Sequence, residues 1–340
     1  MHRTNYLVAT TLLAAALPVH ADISVTITPD RPTLGKRDEV TVTVTLANTG
    51  TTPERIATGR TPFGPEEAAL FDITRDGQPV RYLGRKVKRA PPFDADTLLL
   101  APGETRSARV ELSGTYDMAA TGAYTVRYRD AAPASIARAG AGGIVSNTAA
   151  IFIEGRLARG TAMQLLAAPT GSGLTYANCS NAQQTTIADA LAAGSAMATN
   201  GHGYLTNGKQ QGQRYTNWFG ALDAARQGTV NQHFTAIKDA FETKPVKVDC
   251  GCDEDFAYVY PMQPYTIYVC NAFWTAPMTG TDSKGGTLLH EMSHFDIVAG
   301  TDDHVYGQQG AAEMARTAPQ RAINNADSHE YFGENSPPLN

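Results

Sequence analysis

The first half of the chain alternates apolar and polar positions, with many β-branched residues between short turn signals. This two-residue period is typical of half-buried strands, and Gly, Pro, Asn and Asp separate one run from the next. Several short strands at this spacing, without a convincing amphipathic helix, predict an all-β immunoglobulin-like sandwich over residues 22–155. The clearest predicted strands are residues 23–27, 40–44, 123–128 and 149–153.

The second half changes to helical periodicity, which predicts a mainly α, α+β domain over residues 175–340. Apolar positions recur at helical spacing over residues 187–197 and 218–241. A later helix is predicted from residue 287, where apolar side chains continue through residue 298 and Gly300 provides a C-terminal stop.

Two short apolar runs, residues 257–260 and 265–270, flank a Pro-Met-Gln-Pro turn and predict a β-hairpin before that last helix. An exposed strand edge can bind an extended peptide through backbone hydrogen bonds. The hairpin is therefore our candidate for aligning a peptide substrate, if the protein acts on one.

The N-terminus has the parts of an export signal. His2 and Arg3 precede an apolar run over residues 6–17, and residues 19–21 form a cleavage site of the Ala-x-Ala type. We predict a signal peptide over residues 1–21 and export of the product. No run reaches about 18 consecutive apolar residues, so no membrane anchor is predicted.

Composition and charge narrow the classes of function. A chain of 340 residues with 42% hydrophobic residues is long enough for two packed domains. Residues 156–174, rich in Gly, Ala, Arg and Pro, have the composition of an exposed linker that proteases reach. The net charge of -5 gives no reason to expect nucleic acid or anionic lipid as a partner. The basic group Arg85, Lys86, Lys88 and Arg89 is more typical of a solvated strand face than of a binding patch.

The last predicted helix contains the pattern HExxH, with His290, Glu291 and His294 in the matching positions. Residues four apart lie one turn above each other on a helix, so both imidazoles face one point in space. Two such imidazoles are half of a zinc site, and the carboxylate beside them can take a proton from an activated water. A chance match has odds of roughly one in a hundred, so we interpret the pattern as a metal site.

A catalytic zinc needs a third protein ligand and one open coordination position. Asp302, Asp303 and His304 follow the helix, and each carries a suitable ligand atom. Imidazole is a commoner zinc ligand than carboxylate, so chemistry alone does not exclude His304.

A second motif follows the helix: Gly300, Thr301, Asp303, Tyr306 and Gly307 spell GTxDxxYG. It resembles the second motif of the aspzincin metallopeptidases, the family of deuterolysin and peptidyl-Lys metalloendopeptidase. The resemblance implies a zincin-type metallopeptidase domain in which Asp303 is the third zinc ligand beside the two histidines. It also implies Glu291 as the general base and Tyr306 as the hydroxyl that stabilises the oxyanion.

The resemblance extends over about half of the chain, from the segment TYANCS at Thr175 to the C-terminus. It implies that the preceding sandwich is a pro-domain, packed on the catalytic domain in cis, and that the full chain is a zymogen.

Near the C-terminus, Asp327 and Glu330 are three residues apart and would share one face of a helix. Taken alone, the pair is more typical of a solvated acidic surface. In the Lys-specific branch of the family this position carries the acidic pair that receives a lysine side chain. We therefore predict a substrate pocket here, and in the precursor Lys86 or Lys88 could occupy it by charge complementarity.

Four cysteines, Cys179, Cys250, Cys252 and Cys270, lie in the second half of the chain. An even number in an exported protein predicts two disulfides. A bridge between Cys250 and Cys252 would be strained, which leaves two connectivities. The family resemblance selects Cys179 with Cys250 and Cys252 with Cys270. A cysteine metal site is disfavoured, because C-x-C lacks the spacing of structural zinc knuckles.

These observations predict a secreted zinc-dependent endopeptidase that acts on proteins or peptides and cuts on the N-terminal side of lysine. Two alternatives remain at this point. One is a non-catalytic, secreted zinc-containing adhesin, against which the intact Glu291 counts, since a structural site needs no general base. The other is a secreted module that inhibits a protease in trans.

Overall fold

The alternation in the first half becomes strands with one buried face. The computed structural model describes residues 23–35, 38–64, 68–88, 97–129, 144–154, 173–208, 212–253 and 255–340. Every second residue is buried along two of the longer strands. The elements of this half are β1 (Ile23–Pro29), β2 (Thr33–Leu34), β3 (Thr41–Asn48), β4 (Glu54–Ala57), a 3-10 turn (Thr58–Arg60), β5 (Phe71–Arg75), β6 (Gln78–Pro79), β7 (Lys86–Lys88), β8 (Thr97–Leu100), β9 (Thr105–Glu111), β10 (Gly122–Tyr128) and β11 (Ala149–Ile153).

These strands form a β-rich N-terminal region around its own apolar core. One sheet has the order β1-β3-β9, a second has the order β2-β11-β10-β5-β6, and β4 pairs with β8. Inward-facing side chains such as Val44, Tyr124 and Ile151 fill the core between them. The pairing is antiparallel throughout these sheets except between β2 and β11.

The second half combines helices with a sheet, as predicted. Its strands are β12 (Leu174–Ala177), β13 (Val246–Asp249), β14 (Ala257–Val259) and β15 (Thr266–Val269). Its helices are α1 (Asn181–Thr206), α2 (Gln213–Phe219), α3 (Ala224–Thr243), α4 (Asn271–Thr275), α5 (Lys284–His294), α6 (Gln308–Thr317), α7 (Pro319–Ala322) and α8 (Ala326–Glu334). The predicted hairpin is confirmed, because β14 and β15 pair antiparallel. The sheet has the order β12-β13-β15-β14-β7, so its last strand comes from the first half of the chain.

Helix α5 is buried along its whole length at the centre of this half. Close approach of α1 explains part of this, since a Cβ on Gly194 would lie 3.0 Å from the Gly285 carbonyl oxygen. Ser283 caps the helix by accepting a hydrogen bond from the Gly286 amide. Glu334 on α8 accepts hydrogen bonds from the Ser283 amide and hydroxyl, which ties α8 to the start of α5.

The predicted helical segments are largely helical, but their bounds differ from the prediction. Residues 187–197 lie inside the longer α1, and residues 218–241 are divided between α2 and α3, because Gly220 takes φ +83° and ends α2. Helix α5 ends at His294 rather than continuing to Gly300. The amides of Val298, Ala299 and Gly300 all donate to the Phe295 carbonyl, which turns the chain back towards the helix.

Disulfides link Cys179 with Cys250 and Cys252 with Cys270, which confirms the pairing implied by the family resemblance. Within the described residues, no helix combines the length and apolar character needed to cross a membrane. The predicted signal peptide, Arg89 and nearly all of the predicted linker lie outside the described residues.

Candidate metal centre and the adjoining acidic pocket

The HExxH spacing positions two imidazoles on one face of α5, with ring centroids 4.8 Å apart. His294 Nδ1 lies 2.8 Å from the Thr301 carbonyl oxygen, which can only accept, so Nδ1 carries the hydrogen. His290 Nδ1 faces two carboxylate oxygens, 3.0 Å from Asp327 Oδ1 and 3.1 Å from Glu330 Oε2. Both histidines are therefore oriented with Nε2 towards the same point, the arrangement that metal-binding histidines use.

Asp303 is the third residue at the point that the two histidines face. Its Oδ1 lies 3.1 Å from His290 Nε2, and its Oδ2 lies 3.2 Å from His294 Nε2. The turn after α5 is held by a hydrogen bond from the Thr301 amide to the Ser293 carbonyl, which brings the chain back beside the helix. The structure thus brings His290, His294 and Asp303 together as one group of possible metal ligands.

The two neighbouring candidates face elsewhere. Asp302 Oδ1 lies 2.7 Å from Lys86 Nζ. The His304 ring lies beside Arg321, 3.4 Å from its guanidinium, while the His304 amide donates to Asn325. Neither residue belongs to the group around His290 and His294.

The donor set fits a divalent metal ion. Nε2 of each histidine and both oxygens of Asp303 are buried. Within the described residues none of these atoms makes a hydrogen bond of good geometry. Buried polar atoms without partners are costly, and a cation bound by two imidazoles and a carboxylate would satisfy all of them. Two nitrogens and a carboxylate are ligands that zinc accepts in catalytic sites with three protein donors.

Charges in the ligand group are strongly coupled. Burial opposes ionisation of Asp303, but the two histidines hold its pKa well below 3.8. Burial also opposes the charged form of His290, yet Asp303, Asp327 and Glu330 together raise its pKa well above 6.5. Without a metal, His290 and Asp303 form an ion pair, so a metal ion must displace a proton from His290 to bind.

Glu291 is buried close enough to His290 and Asp303 to interact with their charges. It is fully buried, and neither carboxylate oxygen has a hydrogen-bond partner within the described residues. Burial raises the pKa of Glu291 to about 8. A carboxylate with a pKa near neutrality can both accept and return a proton at physiological pH.

The acidic pair on α8 forms a buried pocket rather than a solvated surface. The side chains of Asp327 and Glu330 are 1% and 0% exposed. Lys88 fills the pocket: its Nζ lies 2.6 Å from Glu330 Oε2 and 3.7 Å from Asp327 Oδ1. Burial opposes the lysine charge, but the surrounding carboxylates raise the pKa of Lys88 above 10.5, so the lysine is cationic. The prediction that this basic group is a solvated strand face is therefore wrong for Lys88.

The pocket has a third acid that the sequence analysis missed. Asp282 Oδ1 lies 3.6 Å from Lys88 Nζ and accepts a hydrogen bond of 2.8 Å from the Tyr331 hydroxyl. Asp282 precedes the cap of α5, and its sequence position suggests only a role in starting that helix. Its approach to α8 depends on the tertiary fold.

Strand β7 lies along the candidate substrate edge of the hairpin. It pairs antiparallel with β14, with Ala257 opposite Lys88 and Val259 opposite Lys86. The Tyr306 hydroxyl donates a hydrogen bond of 2.7 Å to the Val87 carbonyl oxygen. A segment of the N-terminal half thus contacts both the acidic pocket, through Lys88, and Tyr306, through the Val87 carbonyl.

Known proteins with similar sequences are peptidases. The family model described as lysine-specific metallo-endopeptidase matches residues 204–334, which include every predicted metal, catalytic and substrate-binding residue. An extracellular protease of Aeromonas hydrophila is 46% identical over 319 residues, covering 90% of this chain and 91% of that protein. A peptidyl-Lys metalloendopeptidase of Armillaria mellea is 36% identical and covers 88% of each chain. Among solved structures, a zinc peptidase from Grifola frondosa is 43% identical over 48% of this chain and 100% of that chain, with a TM-score of 0.46.

Proposed function

Because the chain belongs to the aspzincin family of lysine-specific metallo-endopeptidases and is a zinc metalloendopeptidase, we propose that it is exported and cleaves peptide bonds on the N-terminal side of lysine. Membership of a peptidase family argues against the alternatives of a non-catalytic adhesin and of an inhibitor module. Export is supported by the signal-like residues 1–21 and by the relative named an extracellular protease.

One observation carries the specificity. Lys88 lies in the acidic pocket while the carbonyl of the residue before it accepts a hydrogen bond from Tyr306. A substrate bound in the same way would have its lysine in the pocket and the preceding carbonyl at the oxyanion donor. The bond between those two groups is the one on the N-terminal side of lysine.

His290, His294 and Asp303 would hold the zinc ion. When bound, zinc would supply the Lewis acid that polarises the scissile carbonyl and lowers the pKa of water towards about 7. Glu291 would hold the proton taken from the attacking water on its carboxylate and return it to the leaving amine. The Tyr306 hydroxyl would donate a hydrogen bond to the carbonyl oxygen and so stabilise the negative charge that develops there.

The pocket favours lysine for reasons of shape and charge. A compact ammonium can donate to Glu330, as Lys88 does at 2.6 Å, with Asp282 and Asp327 as further negative charges at 3.6 and 3.7 Å. Charge-assisted hydrogen bonds contribute roughly 1.5 to 3 kcal/mol each, enough for selection against neutral side chains. The planar guanidinium of arginine presents a broader fork that a pocket built around one ammonium fits poorly.

We also propose that residues 22–155 are an immunoglobulin-like pro-domain, residues 156–174 the maturation region and residues 175–340 the catalytic domain. The shared apolar core of the N-terminal sheets supports a sandwich. The contacts of Lys88, Val87 and Lys86 support latency in cis, since they occupy the pocket and the edge that a substrate needs.

The test is the set of bonds that the secreted, zinc-loaded enzyme cuts in a reduced and alkylated protein mixture, read by mass spectrometry. We expect new N-termini to be enriched in lysine and poor in arginine. Glu291→Gln serves as the inactive control. Cleavage without lysine enrichment would contradict the pocket assignment, and no cleavage at all would contradict the proposed activity.

A further inference from the structure

We infer that the protein has an activity towards itself: it hydrolyses its own Val87–Lys88 peptide bond in cis. This inference rests on the proposed cleavage before lysine. It concerns a bond inside the N-terminal region, and not the linker at residues 156–174, in which there is no lysine.

The backbone of β7 is bound as an extended peptide on a strand edge. Its pairing with β14 places Tyr258 opposite Val87, and the Phe256 amide donates to the Lys88 carbonyl oxygen at 3.1 Å. Addition of a strand to a sheet edge is a common way in which proteins bind extended peptides. The segment therefore lies in an orientation that presents successive side chains to opposite sides of the strand.

Two side chains fix the register of this strand. Lys88 reaches the acidic pocket, and its Nζ also lies 5.3 Å from the centre of the Phe256 ring. Lys86 Nζ lies 2.7 Å from both the Thr301 carbonyl oxygen and Asp302 Oδ1. A shift by one residue would leave the buried acids facing Val87 without a counter-charge, which is strongly unfavourable.

The Val87–Lys88 peptide bond lies between two groups that the site holds in place, the Val87 carbonyl and the Lys88 side chain. The Val87 carbonyl oxygen accepts from Tyr306, and Lys88 follows it directly into the pocket. In the cleavage, water oxygen forms a bond to the Val87 carbonyl carbon and the bond to the Lys88 nitrogen breaks. Glu291 takes one proton from the water and delivers it to that nitrogen. The second water proton passes from the new carboxyl group to the amine, so Val87 ends as a carboxylate and Lys88 as an ammonium.

The cut would leave the two fragments associated. Strands before the bond pair with strands after it: β3 with β9, β5 with β10, and β4 with β8. Both fragments also share the N-terminal apolar core. The cut would therefore create two chain ends beside the pocket without dissociating the N-terminal region.

The experiment uses the full chain, prepared with a chelator and then supplied with zinc. Denaturing mass spectrometry should reveal a fragment that begins at Lys88, while native mass spectrometry of the same sample shows the two fragments still associated, with the mass of the intact chain plus one water. The rate should be first order and independent of protein concentration over a hundredfold range. Lys88→Ala should lose this fragment, whereas the control variant Lys238→Ala, which removes a lysine paired with Glu242 on α3, should still produce it.

A second measurement needs neither metal nor turnover. In the metal-free Glu291→Gln protein, hydrogen exchange should be slow in peptides that contain residues 86–88 and 257–259. Fast exchange of residues 86–88 in that protein would overturn the substrate-like binding of β7. Lys88→Ala should increase hydrogen exchange at residues 86–88. Unchanged protection of β3 and β9 in the same variant would show that the rest of the N-terminal region is folded.

The outcomes separate this inference from the proposed function. If the zinc-loaded Lys88→Ala protein cuts an external denatured substrate before lysine but the wild-type chain keeps Val87–Lys88 intact, self-cleavage is overturned and the proposed function stands. A rate that rises with protein concentration would overturn the cis reaction. If the wild-type chain keeps Val87–Lys88 intact and the Lys88→Ala protein cuts no external substrate, the proposed function fails together with this inference.

Discussion

His290 and Lys88 contact the same carboxylate oxygen. Glu330 Oε2 lies 3.1 Å from His290 Nδ1 and 2.6 Å from Lys88 Nζ. The carboxylate that would recognise a lysine side chain is therefore also the carboxylate that orients a proposed metal ligand. We therefore expect lysine binding and metal binding to be coupled through Glu330.

The first prediction concerns this coupling. Glu330→Gln should lower selectivity for lysine and also weaken zinc binding by about ten- to a hundredfold, because the partner of the His290 imidazole loses its charge. Competition with a chromophoric chelator measures the zinc affinity. Asp282→Asn is the matched control: it removes a charge 3.6 Å from the lysine and should lower selectivity alone. Unchanged zinc affinity in Glu330→Gln would contradict the coupling.

The second prediction separates the base from the ligands. Glu291→Gln should retain zinc, while activity falls by at least about a hundredfold through loss of the general base. Asp303→Ala should lose zinc and activity together, and His304→Ala should retain both. Atomic spectroscopy measures the zinc content of each variant. A Glu291→Gln protein without zinc would show that the assignment of base and ligand is wrong.

The third prediction concerns pH and zinc affinity. The pKa of His290 in the metal-free protein is raised well above 6.5 by its three carboxylate neighbours. At pH 7 zinc must therefore displace a proton, and the affinity should rise as pH rises until His290 is neutral. Calorimetry in two buffers with different ionisation enthalpies should show release of about one proton per zinc ion. An enthalpy that does not depend on the buffer would argue against a protonated His290.

The fourth prediction concerns latency. In the full chain, Lys88→Ala should raise the initial rate on a short lysine peptide by at least about tenfold, because an attached lysine competes at high effective concentration. Lys86→Ala leaves the pocket filled and should raise the rate less. Equal initial rates for Lys88→Ala and the wild-type chain before any self-cleavage would dismiss the latency.

The fifth prediction concerns acid stability. His329 Nδ1 lies 2.9 Å from the Asn325 carbonyl and must donate to it, so His329 Nε2 accepts from His233 Nδ1 at 3.0 Å. Burial lowers the pKa of His233 to about 4 and that of His329 to about 3. Below the usual value of 6.5 the unfolded chain takes up protons that the folded chain does not, so stability falls as pH falls from about 6.5 to about 4.

In His233→Gln the amide can still donate to His329 but does not titrate. The loss of Tm between pH 7 and pH 5 should therefore be smaller in this variant than in the wild type, with similar values at pH 8. Parallel pH profiles for the two proteins would show that His233 does not contribute.

Local periodicity accounts for what could be predicted from the sequence. The spacing of His290 and His294 implies a common face on any α-helix, and this relationship needs no other part of the chain. The alternation in β3 and β10 likewise determines which side chains face a core. The family assignment, which rests on HExxH and GTxDxxYG, is confirmed for the same reason: these motifs are short and contiguous.

Element ends were harder to predict, because packing decides them. Apolar side chains continue past His294 at helical spacing, yet the helix stops there, since the chain must turn back before Asp303 can reach the histidines. The residues alone left Asp302, Asp303 and His304 open as ligands. The turn around Phe295 and Gly300 brings one of them to the two imidazoles.

The acidic pocket was determined by tertiary structure. As isolated residues, Asp327 and Glu330 are typical of a solvated helix face, and Asp282 shows no sign of a role in binding. Asp327 and Glu330 are buried, with the partly exposed Asp282 beside them, and Lys88, more than two hundred residues away from Glu330 along the chain, supplies the opposite charge. Burial of several carboxylates is unfavourable unless a cation joins them. That balance exists only when β7 pairs with β14, a contact between distant segments that no local pattern in the sequence encodes.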